Sequence, residues 1–235
     1  MATHAPADYL DLEEFEHRVI FAGLDNVWDA LPKIVEHLMP LVGAPSLIEG
    51  KCSPLAHIDE TGVVIKSGAV VEAGAVVKGP AIIGEGTQIR AGAYVRGNAI
   101  IGNGVVIGNS CEIKNSIIFN SAEVPHYNYV GDAILGHKAH LGAGVILSNV
   151  RLDRQPVSFY SEDGTRVSTG LRKFSAVIGD RAEVGCNCVI SPGALIGRGS
   201  ILYPLTHWQG ILPAGKMVKH RQNLEVVDML GKSEA

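Results

Sequence analysis

From Ile65 onward a valine or isoleucine returns at every sixth residue: Ile65, Val71, Val77, Ile83, Ile89, Val95, Ile101, Ile107 and Ile113. The fourth residue after each is usually small, as at Ala69, Ala75, Ala81, Thr87, Ala93 and Ala99, and glycine, asparagine, glutamate or serine crowd the positions between. A period of six fits neither a helix nor an isolated strand. It matches parallel β-helix repeats, in which a short strand buries its apolar side only by stacking on the next coil. Three hexads then make one triangular coil, with the aliphatic and the small residue turned inward. The register continues at Leu135, Leu141 and Leu147 and, after a gap, at Ile178, Val184, Ile190, Ile196 and Leu202. The chain reads as an all-β solenoid over residues 51–216.

Residues 1–50 lack the hexad. Trp28, Leu31, Val35, Leu38 and Val42 recur there at spacings of three and four, which predicts one helix face. Pro32 is accommodated if the helix begins near Asp29 and holds the proline in its first turn. This segment is expected to be a small helical cap over an open end of the solenoid. Residues 148–176 break the rhythm with polar residues, Pro156 and Gly164, and predict a long external loop, a feature that stability alone does not require. Residues 217–235 form a charged tail, its last ten residues disordered or helical. The repeat also stumbles between Phe119 and Leu135, with spacings of five from Phe119 to Val124 and from Val130 to Leu135. His126, Tyr129, Asp132, His137 and His140 cluster there, a polar density that an inner wall would not tolerate. That stretch is the candidate site.

Composition narrows the classes. The 235 residues are 46% hydrophobic and 19% charged, as in a folded, soluble protein, while 28 glycines against 6% aromatics suit tight corners and a narrow interior. A net charge of −4 gives no pull toward nucleic acid or an anionic membrane, and neither is expected as a partner. Cys52, Cys111, Cys186 and Cys188 have no disulfide-scaffold spacing, and the N-terminal stretch has no signal-like apolar segment, so the cytoplasm is the expected location. The GEG and GNG triplets at 84–86 and 102–104 are repeat corners, and no glycine-rich loop opens a βαβ unit. Nucleotidyl transfer is not expected from these residues.

Arg96 and Lys114 each follow an inward aliphatic and stand one coil apart, so they should project outward on adjacent rungs, an arrangement able to hold a phosphate. The run EIKNSIIFNSAEVPHYNYVGDAILGHKAHLGAGVILSN resembles the acetyltransferase domain of the bifunctional glucosamine-1-phosphate acetyltransferase and N-acetylglucosamine-1-phosphate uridyltransferase family, and the likeness extends over roughly Ser67 to Pro213. The later stretch around GLRKFSAVIGD is closer to the archaeal-type sugar-1-phosphate nucleotidyltransferases that carry the same C-terminal domain. The resemblance implies a left-handed parallel β-helix assembling as a homotrimer, with acetyl-coenzyme A as co-substrate and a sugar phosphate as partner. It places the family's base on His126 and its substrate-contacting tyrosine on Tyr129. Its phosphate-binding arginine and lysine fall on Arg96 and Lys114. Glu112 stands where the family has a glutamate, to orient the histidine or the amine. Asn149 and Lys173 match a further asparagine and lysine of the substrate site, and Ala143 and Cys186 fall beside the pantetheine. His140 replaces an asparagine among the substrate contacts.

The implied reaction is acetyl transfer to the amine of glucosamine 1-phosphate, which needs a base and an oxyanion donor and no metal. Two other readings compete with it. His126, His137 and His140 are also similar to the zinc histidines of γ-class carbonic anhydrases, and solenoids of this repeat also serve as non-catalytic assembly modules.

Overall fold

The computed structural model describes residues 4–161, 163–219, 221 and 223–227. Most of the expected tail disorder therefore concerns residues outside this set. The repeat folds as a left-handed parallel β-helix of triangular section, its three faces having nine, nine and eight strands among the described residues. The first face includes Ala81–Ile83, Ala99–Ile101, Ser116–Ile118, Ile134–Leu135 and Ala176–Ile178. The second includes Val106–Asn109, Glu123–His126 and His140–Leu141, and the third Tyr94–Val95, Glu112–Lys114, Tyr129–Gly131 and Ile146–Leu147. Pairing begins at Leu47–Ile48 and ends at Met217–Val218, a few residues beyond the expected solenoid bounds of 51 and 216.

Each strand is too short to be stable alone, and the interior explains why the stack holds. Ile65, Ile83, Ile101, Ile118, Leu135, Ile178 and Ile196 lie above one another without solvent exposure, each contributing about 1.5–3 kcal/mol by leaving water. Ala75, Ala93 and Cys111 occupy the inner corners, where two faces converge and leave room only for a small side chain.

The register departs from the expectation in one place. Ile101 pairs with Ile118, so the inward residue five after Ile113 is Ile118, and the shortened step lies there and not between Phe119 and Val124. Phe119 points outward instead and stacks on Phe15 at 3.9 Å between ring centroids. The step from Val130 to Leu135 is shortened as expected, and Ile118 pairs directly with Leu135. Both short turns, 114–116 and 131–133, lie on the corner between third and first faces. Asn115 and Asp132 adopt left-handed backbone there, a region asparagine and aspartate tolerate better than other side chains. The long excursion leaves from this same corner, between Ile146–Leu147 and Ala176–Ile178.

The N-terminal segment contains α1 (Pro6–Tyr9) and α2 (Ala30–Leu38), and Pro32 sits in the first turn of α2. Its place differs from the expected end cap: it lies along the outer side of the first face. That face has apolar residues on both sides, with Ile100, Ile117, Ile134, Val177 and Leu195 pointing outward and fully covered. Trp28, Ile34 and Leu38 meet them, and the excursion contributes Val157, Phe159 and Phe174 to the same cluster. The outward aliphatics give the segment more apolar surface than an open end offers, and this decides where it docks. Polar ties fix its position. The buried Asp180 carboxylate accepts the Asp11 amide at 2.6 Å, its own amide donates to the Tyr9 carbonyl, and Asn120 Nδ2 donates to the Glu14 carbonyl. Part of the excursion is a hairpin, Ser158–Tyr160 against Arg166–Ser168. No described helix is long and apolar enough to cross a membrane.

Two expected outcomes follow from this packing. A β-carbon on Gly108 would lie 1.5 Å from the Pro125 carbonyl oxygen on the next rung, so Gly108→Ala should lower the free energy of unfolding by about 3 kcal/mol, the upper part of the usual overpacking range. An unchanged denaturation midpoint would show that the two rungs can separate. His17, partly buried beside Phe15 and 3.0 Å from the His37 ring, has its pKa lowered from 6.5 to about 4 by desolvation, against an opposing pull from Glu16. The unfolded chain then binds the extra proton first, so stability is full above pH 6.5 and falls as the pH drops toward 4. His17→Gln should flatten that part of a melting-temperature profile, and a profile identical to the parent's would discard the assignment.

Candidate active site

The rung from Val124 to Val130 turns from the second face to the third and carries His126 on the edge between them. Pro125 sits close against Gly108 and has no N–H to give to the ladder, and pairing resumes at once between Asn109 and His126. Tyr127 follows in left-handed backbone at φ +53°, rare for an aromatic residue and favoured only where surrounding groups impose it. Asn128 imposes it. This side chain is buried, its Oδ1 accepts the His126 amide at 3.0 Å, and its Nδ2 donates to the Gly142 carbonyl at 2.6 Å. The backbone of His126 is thereby fixed while its ring stays exposed. Nothing in the hexad pattern marks Asn128, which occupies an inward position usually held by a small residue.

The same edge continues upward through Ala143 and Cys186. The Tyr127 amide donates to Asn109, the Gly144 amide to His126, the Asn187 amide to Ala143 and the Leu205 amide to Cys186, at 2.8 to 3.0 Å. His126, Ala143 and Cys186 therefore occupy the same position on successive rungs, about 4.8 Å apart.

The third face adjoins this edge. Tyr94, Glu112, Tyr129 and Ile146 form one column across its strands. Arg96 and Lys114 come next, on adjacent rungs as the spacing required, and each already has a carboxylate partner. Arg96 Nη1 lies 2.7 Å from Glu112 Oε1, so Glu112 holds the arginine and not the His126 ring. Lys114 Nζ lies 2.9 Å from Asp132 Oδ2. Burial pushes the Tyr129 phenol upward despite nearby Lys114, keeping it a hydrogen-bond donor at neutral pH.

Asp132 organises the far corner of the face. Its side chain is only 6% exposed and accepts from Lys114, from Asn115 Nδ2 at 2.8 Å and from Asn149 Nδ2 at 2.6 Å. Asn149 also reaches the Tyr129 hydroxyl at 3.2 Å. The other end of the excursion is pinned at the same place: the Phe174 amide donates to the Asn149 carbonyl, and Ser175 donates through its amide and its hydroxyl to the Asp132 carbonyl. Lys173 is thus held beside this corner, exposed and facing a cleft shared with Asn115. The polar density of the sequence pointed to Asp132, but its part as the hub was not legible.

Arg96, Glu112, Lys114, Tyr129, Asn149 and Lys173 are therefore brought to one face and its far corner, with His126, Ala143 and Cys186 on the near edge. His140 is not brought to them. It lies on the second face between Glu123 and Glu183, with Nδ1 2.9 Å from Glu183 Oε2. His137 occupies a third place, its amide donating to Asp180. The three histidines weighed as zinc ligands stand apart, and no group of three metal-ligating side chains is found among the described residues.

Residues 77–170, the coils carrying most of this site, match the family described as the GMPPB C-terminal domain. A bifunctional sugar-1-phosphate nucleotidylyltransferase/acetyltransferase of Sulfurisphaera tokodaii is 38% identical over 93 residues, covering 40% of this chain and 23% of that protein. The bifunctional protein GlmU of Methanococcus vannielii is 42% identical over 91 residues, 39% of this chain and 22% of that protein. The chain thus spans less than a quarter of the length of these relatives. Among solved structures, the Francisella novicida UDP-N-acetylglucosamine acyltransferase has 16% identity and a TM-score of 0.42, over 70% of this chain and 67% of that one.

The corner network predicts coupled energetics. Asp132→Ala should cost about 2 kcal/mol by leaving Lys114, Asn115 and Asn149 without their acceptor. In a double-mutant cycle, Asp132→Ala with Asn149→Ala should cost about 1 kcal/mol less than the sum of the single changes, measured by urea unfolding. Strict additivity would mean that the carboxylate and the amide act independently.

Proposed function

We propose that this chain transfers an acetyl group from acetyl-coenzyme A to the amine of an amino sugar that carries an anomeric phosphate, with His126 as general base. The observation that carries the reading is the exposed imidazole of His126, held on an edge it shares with Ala143 and Cys186 and beside a face of fixed polar side chains. Support also comes from the similarity to a protein named as a joint sugar-1-phosphate nucleotidylyltransferase and acetyltransferase, and from the family match over residues 77–170.

A protonated amine cannot attack a thioester. Imidazole is the side chain suited to take a proton near neutral pH, and an exposed ring on a fixed backbone can approach an amine lying on the third face. As the nitrogen forms its bond to the thioester carbonyl carbon, His126 receives the proton. Collapse of the tetrahedral intermediate breaks the carbon–sulfur bond, and the same proton passes to the departing thiolate. Ala143 and Cys186 leave an unobstructed strip along the edge for the pantetheine arm. Tyr129 and Asn149 offer hydrogen bonds to the sugar, while Arg96, Lys114 and Lys173 attract its phosphate, with Glu112 setting the pose of Arg96. Glucosamine 1-phosphate is the simplest acceptor of this class. A homotrimer would set the open near edge against a neighbouring copy. Four free thiols suit the reducing cytoplasm.

His126→Ala should lower kcat by roughly 10² to 10⁴ while leaving the acetyl-coenzyme A dissociation constant unchanged, followed by thiol release and by calorimetry. Turnover equal to the parent's would remove His126 from the chemistry.

A further inference from the structure

Three cations without a carboxylate partner stand one corner beyond the face described above. Arg154, Arg172 and Lys173 line a single cleft of about 580 Å³, and none of them forms an ion pair among the described residues. No acidic side chain lines this cleft. The apolar part of its lining comes from α2 and the excursion, through Leu31, Val35 and Leu171. Val35 is 45% exposed although it is aliphatic and faces this opening. Asn115 joins the cleft to the site, since its side chain forms part of the wall while its Nδ2 donates to Asp132.

We infer that this cleft binds a nucleoside diphosphate group, so that the acceptor's anomeric phosphate is the first of two that link the amino sugar to a nucleoside. The inference rests on the acetyl-transfer reading and names its substrate class. Charge supports it: Arg96 and Lys114 are engaged by Glu112 and Asp132, whereas Arg154, Arg172 and Lys173 have positive charge to offer an anion. Size supports it as well, because the cleft is within the range that encloses small organic ligands and far exceeds a single phosphate. Cations and aliphatic side chains in one lining match a diphosphate that continues into a ribose and a base. Reach is the third argument. Asn128 and Asp132 flank a strand of three residues, Tyr129–Gly131, which spans about 10 Å, and His126 stands just before the corner that leads into it. A sugar whose amine meets His126 covers only part of that strand, so it is the diphosphate beyond the anomeric oxygen that reaches the far corner where the cleft opens.

Calorimetry on the full chain tests this with uridine diphosphate, guanosine diphosphate, inorganic phosphate and coenzyme A as separate probes. At least one nucleoside diphosphate should bind, more tightly than inorganic phosphate and equally well in the presence of saturating coenzyme A. The last condition distinguishes the acceptor's nucleotide from the adenosine diphosphate part of the co-substrate. Joint replacement of Arg154→Ala and Arg172→Ala should weaken binding about tenfold or more. Val35→Glu, which sets a carboxylate in the apolar wall from an exposed helical position, should do the same without altering the melting temperature. Failure of both diphosphates to bind, competition by coenzyme A, or affinities indifferent to these substitutions would overturn the inference. Acetyl release onto glucosamine 1-phosphate together with no diphosphate binding would reject the cleft's role and leave the acetyl-transfer reading intact. Diphosphate binding with no acetyl transfer to any amino sugar would reject the acetyl-transfer reading alone.

Discussion

The backbone of each coil finds its hydrogen-bond partners in the coils directly above and below, and this pairing fixes the vertical spacing and the register of everything else. A strand of two or three residues satisfies nothing within itself. Its amides and carbonyls are paired only when the next coil repeats the same path, so inward positions are forced into continuous columns and outward ones into columns of their own. Function exploits the second consequence. An edge position such as that of His126 is repeated at Ala143 and Cys186 without any element having to bring them together.

Within so regular a frame, variation concentrates at corners, because a corner can lose a residue or gain a loop without disturbing the inner columns. Three successive turns of one corner do so: 114–116 and 131–133 are each a residue short, and residues 148–175 then leave the solenoid altogether. The short turns bring Asn115 and Asp132 close enough to bond, and the departure and return of the excursion add Asn149 and Ser175 to the same carboxylate. The segment preceding the solenoid packs beside this corner through Trp28, which meets Phe159 and Phe174 of the excursion. Hydrophobic burial on the first face thus holds in place α2 and the excursion, which line the cleft with Arg154, Arg172 and Lys173.

Much of this was legible in the chain and some was not, for physical reasons. The period of six declared the fold because burial requires it at every rung. The adjacency of Arg96 and Lys114 followed from a separation of one coil length. Position alone did not reveal their partners: the sequence marks Asp132 only as one of a polar cluster and sets Glu112 toward the histidine or the amine, and the assembled face pairs them with the two cations instead. The shortened step was misplaced onto Phe119 because a phenylalanine and an isoleucine are equally apolar, and only the presence of Phe15 outside the solenoid decides which of Ile118 and Phe119 turns inward. The docking of the N-terminal segment had a signal in the paired aliphatics of Ala99–Ile101, Ser116–Ile118 and Ile134–Leu135, where a strand with one wet side should alternate. Asn128 had none, since its task is to satisfy backbone groups that no pattern of hydrophobicity records.

The distribution of charge across the site separates its two halves. On the third face Arg96 and Lys114 are each matched by a carboxylate, so the polar groups around them are held by one another before any substrate arrives. Such pairing orients side chains at little cost and gives a surface on which a sugar can be aligned by hydrogen bonds. A phosphate placed there must share Arg96 with Glu112 and Lys114 with Asp132, which limits the attraction it gains. Beyond the corner the balance changes, because Arg154, Arg172 and Lys173 meet no carboxylate in the cleft they line. Under the proposed reading this arrangement would draw the anionic end of an acceptor toward the excursion and away from His126. A ligand that carries further negative charge several bonds beyond an anomeric phosphate would be oriented by it more strongly than one with that phosphate alone.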